Sequence, residues 1–286
     1  MKKLQDIFTR AYLVQLEQLT FSFRQKLGVS GYSGGRRSTA KGSSLEFSDF
    51  REYIPGDDLR RVDWRGYGRF GKLNTKLFLE EKQAEVSIFL DASGSMIPEE
   101  KFQQAKALAA SYAYIALCGG DRVNVFLWNE RIVQEKRGMV QKTAFLEILQ
   151  FLDAVQPQGE TKPMRAAILS GRIGRGVSIV LSDFLSEETP FDAVRVLQEK
   201  KQEVFLVQVL SAEEETPSPE GMVRLLDTET KDVQDLEMTA MTLAAYQRAL
   251  KEYRGSLADF CHSRGAKFFH TTDNAQLLQT VKTSLE

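Results

Sequence analysis

The sequence has 286 residues, of which 42% are hydrophobic and 27% are charged, and its formal net charge is −1. This composition is that of a globular protein rather than a disordered one, and the near-zero charge argues against bulk electrostatic capture of nucleic acid or membrane. Cys118 and Cys261 each lie in a helix-like stretch, which predicts buried free thiols in a reducing compartment and no disulfide framework. The most apolar stretch, residues 107–118, is shorter than the ~20 residues of a spanning helix. With no secretory signal after Met1, we expect a soluble, cytoplasmic protein without a transmembrane segment.

The first predicted element is an amphipathic helix over residues 3–27. Its apolar side chains recur at spacings of three and four residues, which is typical of one buried helix face. We predict that this face packs on the chain's own domain, with a partner protein as the alternative. A loop rich in Gly, Ser, Arg and Lys follows over residues 31–44.

Residues 45–76 interleave charged and aromatic side chains around the turn-like sequence Pro55-Gly56-Asp57-Asp58. Between residues 36 and 76 there are ten Lys or Arg and six Asp or Glu. We favour an irregular segment held by Arg–Asp pairs and buried rings, followed by an edge strand over residues 73–79. The alternative is a surface for single-stranded nucleic acid, for which the candidate contacts are Arg36, Arg37, Lys41, Arg60, Arg61, Arg65 and Arg69.

From residue 86 onward, short apolar strands alternate with helices. This alternation predicts an α/β fold: a doubly wound, mostly parallel, Rossmann-like sheet with one antiparallel edge strand. Predicted strands cover residues 86–90, 122–128, 131–136 (the edge strand), 177–182, 203–210 and 266–270, with a small hairpin at 222–226 and 232–238. Predicted helices cover residues 99–118, 143–155, 164–170, 189–200, 239–264 and 274–285.

Oxygen-bearing side chains follow two of these strands. Asp91, Ser93 and Ser95 come directly after the first, Asp183 comes after the 177–182 strand, and Thr161 lies in a loop between them. Strand ends on one edge of a doubly wound sheet converge, and hard oxygen ligands suit Mg²⁺. The pattern therefore predicts a divalent cation site, although Ser and Asp after a strand also occur as ordinary helix N-caps.

The same residues resemble the metal-ion-dependent adhesion site (MIDAS) of von Willebrand factor type A domains, over about residues 83–286. The resemblance implies that the three loops hold Mg²⁺ or Mn²⁺ and that a partner's carboxylate completes the shell. One departure from many relatives is the threonine loop, which reads Gly159-Glu160-Thr161-Lys162 here. Glu160 and Lys162 are expected to change cation affinity.

The upstream segment resembles domain-of-unknown-function family 58, whose members are von Willebrand A-like proteins commonly encoded beside MoxR-type AAA+ ATPases. This implies an extension over residues 1–80 (helix, motif segment and edge strand) and a von Willebrand A-like domain over 81–286. The motif residues, of unknown role, are Glu46, Phe47, Asp49, Arg51, Tyr53, Pro55, Gly56, Asp57, Asp58, Arg60, Asp63, Trp64 and Arg69.

Three function hypotheses result. The leading one is a non-enzymatic, cation-dependent protein-binding module, whose implied partner is a MoxR-type ATPase that contributes an acidic ligand in chaperone-like maturation or remodelling. The second is a Mg²⁺-dependent phosphohydrolase with Asp91 as nucleophile, although position 93 is Ser where such enzymes need a second acid. The third and least favoured is the nucleic-acid binder, because acids nearly balance the bases.

Overall fold

The computed structural model describes residues 3–19, 46–79, 84–129, 131–158, 173–186, 189–217, 221–226 and 233–285. The chain divides into two compact units, Met1–Val29 with Ala84–Glu286, and Ser30–Gln83. The predicted loop at 31–44 and the predicted helix at 164–170 lie outside the described residues.

The N-terminal segment forms two short helices, α1 (Leu4–Ile7) and α2 (Arg10–Gln18), instead of the predicted single helix. The break occurs because Thr9 has an extended backbone and its side chain accepts a hydrogen bond from the Tyr12 amide, so it caps α2. Residues 20–27 of the predicted helix lie outside the described part of the chain.

The apolar stripe of α1 and α2 packs on the larger unit, which confirms the prediction of packing within the chain. Leu4 and Leu16 are fully buried, and Phe8 meets the ring of Phe145 edge to face at 5.2 Å between centroids. The Tyr12 hydroxyl lies 3.0 Å from Ser111 Oγ. These contacts group residues 3–19 with the larger unit.

The smaller unit contains an antiparallel pair of strands, β1 (Glu46–Glu52) and β2 (Asn74–Leu79), with helix α3 (Trp64–Phe70) between them in sequence. The prediction of an irregular segment was wrong for residues 46–52. The strand predicted at 73–79 exists but pairs with β1 and not with the main sheet, because the turn at 55–58 and α3 bring the chain back antiparallel to it.

The prediction of buried rings was also wrong for four rings of this unit; Tyr53 is half-buried, and the side chain of Phe47 lies outside the described part. Exposed fractions are 44% for Phe50, 55% for Trp64, 44% for Tyr67 and 77% for Phe70. Three of the rings follow one another at intervals of three residues along α3. A two-stranded sheet and a two-turn helix offer too little surface to cover them.

The larger unit is built on a six-stranded sheet in the part of the chain that the structure describes. Its strand order is β10-β7-β6-β3-β4-β5, and all neighbours are parallel except the edge strand β5. The pair β8-β9 forms the predicted small hairpin. The strand bounds are β3 (Glu85–Asp91), β4 (Arg122–Trp128), β5 (Ile132–Met139), β6 (Gly176–Ser182), β7 (Gln202–Leu210), β8 (Gly221–Leu226), β9 (Val233–Met238) and β10 (Lys267–Thr272).

Helices cover both faces of this sheet, which confirms the predicted α/β class with its antiparallel edge strand. Alternate residues of β3 divide between the two layers: Val86, Ile88 and Leu90 pack with α1, α2, α4, α5 and α9, while Phe89 packs with α6 and α8. The helix bounds are α4 (Glu99–Cys118), α5 (Phe145–Asp153), α6 (Phe191–Glu199), α7 (Ala212–Glu215), α8 (Ala240–Ser263) and α9 (Leu277–Leu285).

The strand order reverses between β3 and β6. From β3 the chain proceeds outward through β4 to β5, and it then crosses to the other side of β3 to form β6 and β7. Ligands of open α/β sheets bind outside the carboxyl ends of the strands at such a reversal. Asp91 ends β3 and Asp183 directly follows β6, so both lie at this point.

Candidate functional site at the carboxyl ends of β3 and β6

Asp91 is the fully buried last residue of β3, and hydrogen bonds hold both of its carboxylate oxygens. Its Oδ1 accepts from the Ser93 amide at 2.9 Å, and its Oδ2 accepts from Ser182 Oγ at 2.6 Å. Burial raises the pKa of Asp91, and the nearby charge of Asp183 raises it further, although the hydrogen bonds from Ser182 and Ser93 oppose the shift.

The two predicted serines lie together in the turn after β3. Ser93 Oγ and Ser95 Oγ are 3.1 Å apart, and Ser93 precedes a 3-10 turn over Gly94–Met96. The serines are thus arranged as two neighbouring oxygen donors beside the Asp91 carboxylate, as the sequence pattern predicted.

Asp183 is nearly buried and reaches the same place from β6. Its Oδ2 accepts from Lys101 Nζ at 2.9 Å, and the same ammonium donates to Ser95 O at 2.9 Å. The backbone leaves the strand through Phe184, which has a φ of +54° and whose carbonyl accepts a hydrogen bond from the Tyr253 hydroxyl. A non-glycine residue with positive φ is uncommon, and here it follows directly on the site.

Thr161 lies outside the described residues, so its predicted place in the site stays a prediction. The last described residue before it is Gln158, whose amide donates to the Ala92 carbonyl at 2.8 Å. The Gln158 carbonyl accepts from Asn129 Nδ2 at 2.9 Å. The segment that leads to Thr161 is therefore attached to the loop that carries Ser93 and Ser95.

Three residues of the site were missed in the sequence analysis: Lys101, Ser182 and Glu214. Lys101 is fully buried, and besides Asp183 and Ser95 its ammonium also donates to Glu214 Oε1 at 2.8 Å. Burial alone would lower its pKa, but the charges of Asp183 and Glu214 outweigh this and raise it. Lys101 is therefore held as an ammonium.

Sequence signals existed for two of these residues. Lys101 shares a helical stripe with Ala105, Leu108 and Tyr112, all fully buried, so its spacing places it on the inner face of α4. Ser182 directly precedes Asp183. Glu214 had no comparable signal, because it belongs to an acidic run that resembles a solvated surface.

The donor set has the chemistry of a hard divalent cation site: two carboxylates, two hydroxyls and net negative charge. In the described part of the chain, no three His, Cys, Asp or Glu side chains form a group that could hold a metal. A cation here would thus depend on Ser93 and Ser95 as much as on the two acids. Whether the predicted ligands bind a metal stays a prediction.

The motif residues of the smaller unit form a separate cluster around Asp57. The Asp57 carboxylate accepts from Arg51 Nη2 at 2.6 Å, from the Ile54 amide at 3.1 Å and from Thr75 Oγ1 at 3.1 Å. The predicted Arg–Asp pairing is therefore present. Other motif residues also make described contacts: Arg60 pairs with Asp58, Asp63 pairs with Lys76, and the Trp64 indole donates a hydrogen bond to Leu59 O. Gly56 in the turn has a φ of +104°. The side chains of Glu46, Phe47 and Asp49 lie outside the described part.

The family model described as "Protein of unknown function DUF58" matches residues 49–256. The chain therefore belongs to this family, as its motif predicted. Among curated proteins it is similar to "Uncharacterized protein Rv1480" of Mycobacterium tuberculosis and "Uncharacterized protein Mb1516" of Mycobacterium bovis. Each is 26% identical over 291 residues, which covers 97% of this chain and 90% of the relative.

Two solved structures show weaker similarity. One is the "conserved hypothetical protein BatB" of Bacteroides thetaiotaomicron, at a TM-score of 0.42 and 15% identity over 71% of this chain and 97% of that one. The other is an "aerotolerance-related membrane protein" of Bacteroides fragilis, at 0.42 and 15% over 71% of this chain and 98% of that one. Within the described residues of the present chain, no helix combines the length and apolar character needed to cross a membrane.

Proposed function

We propose that this protein is a non-enzymatic protein-binding module that captures its partner through a divalent cation, Mg²⁺ or Mn²⁺. The partner we propose is a MoxR-type AAA+ ATPase that contributes an acidic ligand, in chaperone-like maturation or remodelling of a client. Membership of the DUF58 family supports this choice of partner, because the motif resemblance that predicted the family also implies the ATPase.

The observation that carries the proposal is the convergence of Asp91, Ser93, Ser95 and Asp183 at the reversal of strand order. These side chains come from two strand ends that are about 90 residues apart in sequence, and they meet where α/β sheets bind ligands. Lys101 supplies one positive charge beside the carboxylates of Asp91, Asp183 and Glu214. A divalent cation would supply the missing positive charge.

In the proposed site, Asp91, Ser93 and Ser95 hold the cation together with Asp183 and Thr161. When bound there, the cation would supply Lewis acidity toward a carboxylate oxygen of the partner. The chain's own residues orient the site: Ser182 and the Ser93 amide fix the Asp91 carboxylate, and Phe184 with Tyr253 fixes the backbone beside Asp183. The site is therefore preorganised before the partner arrives.

The alternatives have less support. A nucleophilic Asp91 would need a second acid two residues later for proton transfer, but position 93 is Ser. For nucleic-acid binding, the candidate Arg60 is engaged by Asp58, and the candidates Arg36, Arg37 and Lys41 lie outside the described residues.

Substitution Asp91→Asn tests the proposal, since it removes the charge while preserving the shape. The immobilised variant and the wild type are exposed to a purified MoxR-type ATPase from the same organism, in Mg²⁺ and in EDTA. We expect the wild type to retain the ATPase in Mg²⁺ and lose it in EDTA. The variant should lose at least about 90% of the capture in Mg²⁺, which corresponds to a tenfold weaker affinity, or about 1.4 kcal/mol of binding free energy.

Asp121→Asn is the matched control, because Asp121 is another fully buried acid of the same unit, next to the start of β4. It should capture the ATPase like the wild type. Undiminished capture by the wild type in EDTA, or by Asp91→Asn in Mg²⁺, would show that binding does not use the cation, and the proposal would then be wrong.

A further inference from the structure

Lys101 is the most unusual group in the site that the proposed function leaves unused. Its side chain is fully buried on α4, and its ammonium donates to Ser95 O, Asp183 Oδ2 and Glu214 Oε1 at 2.9, 2.9 and 2.8 Å. An ammonium has three donors, so these three acceptors satisfy it completely. Such burial is tolerated only when the charge is paired in this way.

The position of this ammonium conflicts with cation binding at one atom. Asp183 has two carboxylate oxygens: Oδ1 accepts from the Leu185 amide at 3.2 Å, and Oδ2 accepts from Lys101. A divalent cation that binds Asp183 through Oδ2 lies next to the ammonium of Lys101 and competes with it for this oxygen. Neither oxygen of Asp91 is bonded to Lys101, so the conflict concerns only the β6 side of the site.

Glu214 offers the ammonium a second partner. It lies in α7, where its Oε2 accepts from the Ser211 amide at 2.7 Å in a capping box, while Oε1 faces Lys101. If Asp183 turns to a cation, Lys101 keeps its bond to Glu214. The charge of Lys101 therefore need not leave the protein interior when the cation binds.

The neighbour of Glu214 is connected to Asp183 by a separate path. Glu215 pairs with the Arg254 guanidinium, whose Nε donates to Gln208 Oε1 at 2.8 Å. Gln208 Nε2 in turn donates to the Asp183 carbonyl at 2.8 Å. Helix α7 is thus linked to both groups. Glu215 is linked through Arg254 and Gln208 to the backbone carbonyl of Asp183, and the Glu214 side chain is bonded to the Lys101 ammonium. These links keep the ammonium and the Asp183 carboxylate aligned.

We infer that Lys101 is a built-in cation of this site, which competes with the divalent cation for Asp183 and thereby weakens metal binding until a partner's carboxylate joins the shell. The inference rests on the proposed cation site and adds its specificity-determining residue. Lys101 makes stable occupancy depend on the metal and the partner together, because the metal alone must displace an ammonium from Asp183.

The test is direct titration of purified full-length protein with Mn²⁺ alone, with free Mn²⁺ measured by electron paramagnetic resonance. Lys101→Met removes the charge at similar length, and we expect its Mn²⁺ affinity to be tighter than that of the wild type by about tenfold or more. The double variant Lys101→Met with Glu214→Gln has the same net charge as the wild type. It should also bind Mn²⁺ more tightly, because Asp183 is released in both.

The double variant reduces the risk of a folding defect, since it leaves one acid (Asp183) without its ammonium instead of two. Lys106→Met is the matched control on the same helix: Lys106 is also buried, and its ammonium lies 5.0 Å from the centre of the Phe102 ring. Its Mn²⁺ affinity should equal that of the wild type. Folding of each variant is checked by near-ultraviolet circular dichroism.

Three results would overturn the inference. Wild-type affinity in both Lys101 variants would show that Lys101 does not compete, while the proposed function would stand. Tighter binding in Lys101→Met with wild-type affinity in the double variant would show an effect of net charge alone. Failure of every protein to bind Mn²⁺ would overturn the cation site, and with it the cation dependence of the proposed function.

Discussion

At the carboxyl ends of β3 and β6, charged side chains are buried and bonded to one another, whereas in the 46–79 unit charged side chains and aromatic rings share the exposed surface. Lys101 and Asp183 pair with exposed side-chain fractions of 0% and 4%, while Arg60 and Asp58 pair with fractions of 90% and 44%. An ion pair in the first setting lacks water as an alternative partner, so losing one member is costly there. In the second setting, water replaces the lost member.

The largest loss of stability is expected for Lys101→Met in EDTA. It leaves Asp183 and Glu214 without their shared cation in a buried environment, and we expect the free energy of unfolding to fall by about 3–5 kcal/mol. Urea denaturation followed by circular dichroism measures it. Arg60→Met, which breaks the exposed pair with Asp58, should change the same quantity by less than about 1 kcal/mol. Equal losses in the two variants would remove the distinction between the regions.

An intermediate loss of stability is expected when tryptophan is replaced by phenylalanine, a substitution that can be made once in each region. The two tryptophans are Trp128, which is 2% exposed at the end of β4, and Trp64, which is 55% exposed on α3. Trp128→Phe should lower the free energy of unfolding by about 1–2 kcal/mol, because the smaller ring leaves space in a packed layer. Trp64→Phe should change it by less than about 0.5 kcal/mol. The same urea measurement applies, and a larger loss for Trp64→Phe would show that its ring is covered in solution.

The smallest effect is expected for the smaller unit on acidification. The hydrogen bond from the Ile54 amide, together with Arg51 and Thr75, holds the pKa of Asp57 below its usual range. The stability that Asp57 contributes is thus present above the unfolded-state pKa of about 3.9 and is lost as the pH falls through the lower folded-state value. Amide hydrogen exchange of residues 46–79, corrected for the intrinsic pH dependence, should show protection falling below about pH 4.

Asp57→Asn serves as the control for this measurement, since it cannot titrate. Its protection over residues 46–79 should be reduced already at neutral pH and should show no further loss from this residue in acid. A wild-type acid response that persists unchanged in Asp57→Asn would assign the effect to other carboxylates.

The pattern of apolar strands in the sequence was enough to predict most of the larger unit. Helix α4 and strand β4 have the predicted bounds, and the other predicted strands and helices that the structure describes after residue 84 differ by a few residues at their ends. Helix α7 was not predicted. This succeeds because a parallel strand covered on both faces must be apolar along its whole length, which is a local property of the chain. The convergence of Asp91 and Asp183 followed from the same reasoning about strand ends.

The errors concern features that depend on what packs against a segment. The helix predicted over 3–27 contains a break because the Thr9 side chain caps α2, although its apolar spacing continues across the break. The rings of the 46–79 unit were predicted to be buried, but burial requires a covering surface, and ring content does not show whether one exists. A local sequence pattern indicates which conformation a segment prefers, but it does not show which other segments will pack against it.

The sequence by itself determined the α/β class, the family, and the order of oxygen-bearing residues after the strands, because these are periodic or contiguous features of the chain. Only the tertiary structure decided that Lys101 lies between Asp183 and Glu214, residues that are 82 and 113 positions away. Sheet order and the packing of α4 bring these charges together, and in a buried site the partners of a charge decide its state. The site predicted as a set of acidic and hydroxyl oxygens is therefore, in the folded protein, a site that already contains its own ammonium.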